Sequence, residues 1–189
     1  DDGRLKIAVV DPRCSKGAAR AWKWLPVRPN GVAAVGLGMM NWMIENQRYD
    51  ARYLANANKA AAKADNEPTW TQTAWLVKIN PDGTPGTFLR GSDLGLPKEK
   101  RPKKKGDGDW EFDSFLVYSG GAPKPFDPNS ETDPVEGDLL VDTEIKGIKV
   151  KSVFQILRET VGARKLSDWA KLAGLEEEDL VDVAREFTS

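Results

Sequence analysis

The short apolar run Leu5 to Val10 ends at Asp11-Pro12, and this junction sets the frame for the rest of the chain. A strand with β-branched residues and no polar alternation is the pattern of a parallel strand buried on both faces. Proline has no N–H to extend a ladder, so the strand stops there. Ser15 to Ala21 is small enough in side chain for one helical turn, and Trp22, Trp24 and Leu25 form a second short extended piece. Val32 to Glu45 then has helical spacing, with Val32, Val35, Met39, Trp42 and Met43 on one stripe and Asn30 placed to cap it. Gly36 and Gly38 lower the propensity of that helix, which points to close approach of a neighbouring element. The expected fold is α/β: a Rossmann-like parallel-sheet fragment with an inserted lobe of β-hairpins and C-terminal helices.

A second helix is expected from Asp50 to about Ala62, after which the pattern changes. Trp70 to Asn80 reads as a strand, Pro81-Asp82-Gly83 as a turn and Thr87 to Arg90 as the return. Phe115 to Tyr118 is another strand, a Gly/Pro-rich loop runs to Pro134, and Leu139 to Thr143 with Ile148 to Val150 flank Lys146-Gly147 as a hairpin. Helices follow at Ser152 to Val161, at Ser167 to Ala173 with Ser167 as cap, and at Glu176 to Phe187, whose acids suit a first turn. The expected organisation is a cofactor-binding half at 1–64, a β-rich lobe at 65–150 and packing helices at 151–189.

The 189 residues contain no histidine and one cysteine, Cys14. An internal disulfide, a zinc cluster, iron–sulfur ligation and a Ser-His-Asp triad are therefore excluded within this polypeptide. With 28 basic and 29 acidic side chains the chain has no global field for nucleic acid or anionic lipid, so a charged ligand must be met locally. No apolar stretch reaches the length of a membrane span, and none of the features of a signal peptide opens the chain. A strand so near residue 1, with no initiator methionine, suggests a piece of something longer.

Asp11 has the position of a ligand-binding acid, because a carboxylate at the carboxyl end of a parallel strand can accept hydrogen bonds from a ribose diol or a guanine edge. It equally suits a side chain that only caps the following turn. Arg13 offers a flat, permanent cation for a base or phosphate, or an ordinary surface residue. Asn30-Gly31 at a helix start presents backbone N–H groups, as every helix start does. "GVAAVGLG", Gly31 to Gly38, lacks the Lys-Ser/Thr of a phosphate loop and lies within a helical pattern, so neither nucleotide fingerprint applies. The run "KEKRPKKK", Lys98 to Lys105, has no aromatic interleaving and reads as a solvated loop. Trp42, Trp75 and Trp169 fall in periodic segments and read as core; Cys14 reads as a spectator thiol. No carboxylate pair has acid/base spacing, so no catalytic constellation is identified.

The order "VVDPR", then "LPVRPNGVAAVGLGMMNWMIENQRYD", then "LSDWAKLAGLEEEDLVDVAREFTS" resembles catalytic subunits of the molybdopterin oxidoreductases, the dimethyl sulfoxide reductase superfamily. The segments "ADNEPTWTQTAWLVKINPDGTPGTFLRGSDLGL" and "GIKVKSVFQILRETV" resemble its tetrathionate reductase branch, with polysulfide, thiosulfate and arsenate reductases as competitors. The resemblance implies an exported enzyme in which molybdenum is held by two pterin-guanine dinucleotides, joined to a membrane anchor and to an iron–sulfur subunit for electron transfer. It implies that the present segment, inactive alone, meets the guanosine end of one dinucleotide. The carry-over covers Asp11, Pro12, Arg13, Cys14 and Ser15 after the strand and Asn30, Gly31 and Val32 at the helix start. The family commonly has aspartate where Val32 stands, which leaves the second loop only its backbone groups. Two other readings stay open: a protein-interaction module built on the β-rich lobe and basic run, and a nicotinamide-dependent enzyme, which the missing glycine fingerprint disfavours.

Overall fold

The computed structural model describes residues 5–103 and 108–189. In chain order its elements begin with β1 (Ala8–Val10), β2 (Lys23–Leu25), α1 (Val32–Glu45), α2 (Ala51–Ala55) and α3 (Lys59–Ala64). The strands β3 (Leu76–Ile79), β4 (Pro85–Phe88), β5 (Glu99–Pro102), β6 (Asp109–Phe112), β7 (Phe115–Ser119) and β8 (Ala122–Phe126) follow. The chain closes with β9 (Asp142–Ile145), β10 (Ile148–Ser152), α4 (Val153–Gly162), α5 (Leu166–Ala173) and α6 (Glu177–Phe187). This is a mixed α/β fold with small sheets and C-terminal helices. It divides into two compact units, one running up to Tyr49 and resuming at Arg158–Ser189, the other Asp50–Leu157.

In the first unit β1 and β2 pair in parallel, Ala8 opposite Lys23 and Val10 opposite Leu25. The parallel pairing matches expectation; the burial does not. Leu5, Ile7 and Val10 are 72%, 56% and 38% exposed, because β2 flanks β1 along one edge and no other described strand takes the second. The core here is instead helical, with Leu25 and Val27 under α1, α5 and α6. The buried face of α1 is Ala34, Val35, Gly38 and Asn41, turned from the expected stripe so that Val32 faces out. Gly38 explains the turn: a Cβ there would lie 2.7 Å from Leu180 Cδ1 and 3.1 Å from Trp169 Cβ, so its absence lets both later helices approach. Gly36 faces open space, and no close approach accounts for it.

The second unit is built from antiparallel ribbons. One sheet has the order β4-β3-β10-β9, and β5-β6 and β7-β8 are separate pairs. Lys146 and Gly147, with φ of 49° and 81°, make the tight turn between β9 and β10. Trp75 sits at the centre of an aromatic cluster, 5.2 Å from Phe88, 4.4 Å from Phe115 and 5.4 Å from Phe126 between ring centroids. Its indole N–H donates to Ala57 O at 3.0 Å, so burial leaves no polar atom stranded. The helix expected over 50–62 is two helices, since Asn56 is extended and Asn58 caps α3 by accepting from Ala61 N. The strand expected over 70–80 shortens to β3, the loop expected before Pro134 contains β8, and the basic run folds as β5 paired to β6. Lys104 and Lys105 of that run lie outside the described residues.

Candidate functional site

Two loops leave the carboxyl end of the β1–β2 pair, and they carry the eight residues singled out by sequence. The first follows β1. Asp11 N donates to Leu25 O at 3.2 Å, which fixes the residue to the end of β2, and Trp24 Nε1 donates to Asp11 O at 2.8 Å. The carboxylate then splits its duties: Oδ1 accepts from Arg13 N at 2.7 Å, closing the turn that Pro12 begins, while Oδ2 has no hydrogen bond among the described residues. The turn-cap reading of Asp11 is thus realised by one oxygen of a half-buried side chain, and the other oxygen has no bonded partner among the described residues. Pro12, Arg13, Cys14 and Ser15 are exposed; the Arg13 guanidinium has no ion pair among the described residues. Ser15 is committed locally, its hydroxyl accepting from Ala18 N at 3.2 Å to start a single 3-10 turn at Ala18–Arg20.

The second loop follows β2 through Arg28-Pro29-Asn30 to α1. Here the structure corrects three expectations. Asn30 is not the cap of α1: it sits left-handed at φ 66°, which asparagine tolerates, and Gly31 takes the cap position without any side-chain cap. The Gly31 N–H is not free for a ligand, because it donates to Arg28 O at 2.8 Å. The Val32 side chain is 58% exposed and lies outside the helical core of this unit. What remains open in the first turn is the N–H groups of Val32 and Ala33, since Ala34 N and Val35 N both return to Gly31 O. Gly31 itself is required by space: a Cβ would come within 3.0 Å of Ala173 O, Arg28 O and Val27 Cγ2.

Sequence reasoning passed over Arg28. Its N–H donates to Ala173 O at 2.8 Å and its stem lies across Gly174, whose left-handed φ of 77° and lack of Cβ make the room. Together with Ser167, Lys171, Glu176 and Glu177 it lines a polar cavity of about 420 Å³ beside the second loop. The only trace of this in the sequence is the pairing of an arginine before Pro-Asn-Gly with a glycine after α5. β2 is tied to α6 by Lys23, which reaches Asp182 at 2.7 Å and Asp179 at 2.9 Å. Burial pulls the Lys23 ammonium down, but the bonds to Asp182 and Asp179 outweigh it and hold its pKa above the ordinary lysine value; Lys23 in turn holds Asp182 below the ordinary carboxylate value.

Among the described residues there is no cluster of three metal-ligating side chains, and no helix is long and apolar enough to cross a membrane. The two loops thus present, at the carboxyl end of parallel strands, a carboxylate oxygen and a guanidinium with no bonded partner among the described residues beside the N–H groups of a helix start, acceptors and donors that polar ligands use.

No family model matches the chain. Among curated proteins it is 42% identical over 189 residues to a selenate reductase subunit of Mesobacillus selenatarsenatis, covering 100% of this chain and 17% of that protein. It is 30% identical to a tetrathionate reductase subunit of Archaeoglobus fulgidus, over 98% of this chain and 15% of that protein. It is 26% identical to a tetrathionate reductase subunit of Salmonella typhimurium, over 98% of this chain and 16% of that protein. Identity is higher to the selenate reductase than to either tetrathionate reductase, so the tetrathionate branch is not set apart. The chain spans about a sixth of the length of these relatives, and it belongs, as a segment, to the dimethyl sulfoxide reductase family of molybdopterin oxidoreductases.

Proposed function

We propose that the parent protein is a molybdenum enzyme that reduces a chalcogen oxyanion of the selenate or tetrathionate class, and that this segment holds the guanosine end of one pterin-guanine dinucleotide. The observation that carries the second part is Asp11 Oδ2, which has no hydrogen bond among the described residues, on a residue anchored between β1 and the end of β2 with a turn already closed by Oδ1. A guanine edge or a ribose diol supplies the N–H or O–H donors that this oxygen lacks. Arg13 stands two residues further on with its guanidinium unpaired, suited to stacking or to a phosphate. The bound group supplies two-electron transfer at molybdenum; the residues of this segment fix its far end and take no part in bond making. Selenate and tetrathionate are both kept as substrates, because the two relatives at 30% identity or more over nearly the whole chain differ on that point. Both relatives are named as reductase subunits, which supports a parent chain that works with further subunits; an iron–sulfur electron-transfer partner, a membrane anchor and an exported location complete the reading.

Asp11→Ala in the parent protein tests it. Bound molybdenum and the guanine nucleotide released on denaturation are expected to fall together, by roughly tenfold for the loss of one charge-assisted contact of ~1.5 kcal/mol. Unchanged contents of both would assign Asp11 to the turn alone.

A further inference from the structure

The polar cavity at the junction of α5 and α6 has an apolar floor and a charged rim that does not neutralise itself. Ala170 and Leu175, both buried, line it from the core side. Arg28, Lys171, Glu176 and Glu177 line it from outside, all four exposed, around a volume of about 420 Å³. Elsewhere in the chain opposite charges that face one another close into pairs: Lys23 reaches Asp182 at 2.7 Å, Lys6 reaches Glu186 at 2.8 Å and Lys78 reaches Asp93 at 3.1 Å. At this rim they do not. Neither Arg28 nor Lys171 has an ion pair or a side-chain hydrogen bond among the described residues, although two carboxylates line the same cavity. Arg28 is not at liberty to swing across, because its N–H is bonded to Ala173 O at 2.8 Å and its stem lies against Gly174. Beside the rim Leu172 is 48% exposed, an apolar neighbour to the charged group of Lys171.

We propose that this cavity is a docking point for a partner subunit, which inserts an acidic side chain between Arg28 and Lys171 and brings a basic one to Glu177. This rests on the reading that the parent chain works with further subunits, which its relatives' names as subunits support. The charges decide the occupant. Packing against the rest of the parent chain would bury four ionised groups at a cost recovered only if each were paired, whereas the rim of an interface between subunits keeps charges in water and is rich in arginine. The flat fork of Arg28 accepts a carboxylate through two parallel N–H groups, and Lys171 adds a second cation from the same side. An apolar floor with a polar rim and one exposed leucine beside it is the anatomy of a protein contact, and a carboxylate alone would meet repulsion from Glu176 and Glu177. A segment carrying both signs meets none.

Leu172→p-benzoylphenylalanine in the parent enzyme, purified with its subunits and irradiated, reads the neighbour directly and leaves all four charges in place. A covalent adduct to a second polypeptide is expected, mapped by mass spectrometry to a stretch with an acidic and a basic residue. An adduct to the parent chain itself, or none, overturns the proposal. Lys171→Glu is expected to raise the dissociation constant of the subunits by roughly tenfold or more at low salt and by less at high salt, while Lys171→Arg keeps it within about twofold. A Lys171→Glu complex as tight as the parent complex overturns the proposal as well. Molybdenum measured on the same samples separates this inference from the cofactor reading: a loaded enzyme without an adduct overturns the docking point alone, and an adduct in a protein without molybdenum supports the docking point while removing the cofactor reading.

Discussion

The two units finish themselves to different degrees. In Asp50–Leu157 every strand in the named sheets pairs antiparallel, and most ribbons close through a short local turn. Two of its three buried polar side chains are densely bonded: Asn58 Oδ1 accepts from Ala61 N and Val135 N, its amide donates to Asp133 O at 2.7 Å, and Ser152 Oγ binds Leu139 O, Val141 N and Gln155 N, while Asn56 bonds through its amide alone. The unit containing β1 and α1 has an equally dense helical core but leaves Leu5, Ile7, Val32, Leu172 and Phe187 exposed. A segment can be complete in one part and unfinished in another, and the unfinished part is the one that carries the candidate site. That is the arrangement expected when a ligand is shared with protein outside the segment.

The sharpest way to break this contrast is at the centre of the self-contained unit. Trp75→Ala removes three ring contacts and the bond to Ala57 O, and is expected to cost ~3–5 kcal/mol in urea unfolding. A loss below about 1 kcal/mol would mean that the aromatic cluster is loosely packed and the unit not self-sufficient. Asn58→Ala comes next. It strands the buried Val135 N, takes the amide donor from the Asp133 carbonyl and uncaps α3, at about 2–3 kcal/mol. Asn56→Ala is expected to cost less, because the Asn56 amide donates to Asp65 while its own carbonyl oxygen has no partner already.

Much of this architecture was legible, and the failures have definite causes. α1 was readable to the residue at both ends, since fourteen residues of helical spacing follow a glycine turn. Its cap was misread because asparagine favours both the cap position and the left-handed turn that Asn30 adopts, and sequence does not distinguish them. β8 was hidden by Pro123 and Pro125, which suit it as the outer strand of a two-stranded ribbon where a missing N–H is tolerated. β5 was hidden by its charge. Its signal lay in the partner strand, where Trp110 and Phe112 pair opposite Arg101 and Glu99, and Arg101 stacks 3.8 Å over the Phe112 ring. At the candidate site, the turn that Asp11 closes was readable from strand and turn chemistry, but the engagement of the Gly31 N–H by Arg28 O depends on a fold-back that no local pattern encodes.

Gly38 sharpens the comparison from the other unit. An added methyl meets Leu180 Cδ1 at 2.7 Å, the far end of a flexible side chain, and Trp169 Cβ at 3.1 Å, which must give by a few tenths of an ångström, and against this alanine gains about 1 kcal/mol of helix propensity over glycine. Gly38→Ala is therefore expected to shift stability by no more than ~1 kcal/mol, whereas Gly137→Ala in the self-contained unit meets Val117 Cβ at 2.7 Å and Ala74 Cβ at 2.9 Å, atoms fixed to backbone. The latter is expected to cost ~2–3 kcal/mol by overpacking. Equal costs at the two positions would show that the helical core is as rigid as the sheet unit.

The smallest effect is electrostatic and confined to the unit with the site. Asp182 has its folded pKa below the ordinary 3.8 because Lys23 bonds to it, so its contribution is present above that value and is lost as pH falls through the folded pKa. Lys23 has its folded pKa above the ordinary 10.5 because the bonds to Asp182 and Asp179 outweigh burial, so its contribution is complete below that value and is lost as pH rises through the folded pKa. The tie between β2 and α6 is thus constant across neutral pH and weakens at both extremes. Asp182→Asn is expected to lower the urea midpoint slightly at pH 7, with the gap to the parent sequence closing below pH 3.8 and shrinking in high salt, since both groups are partly in solvent. A gap that stayed the same from pH 7 down to pH 2 would assign the effect to packing of the Lys23 stem instead of its charge, and would leave the strand pair held to its helix by apolar contact alone.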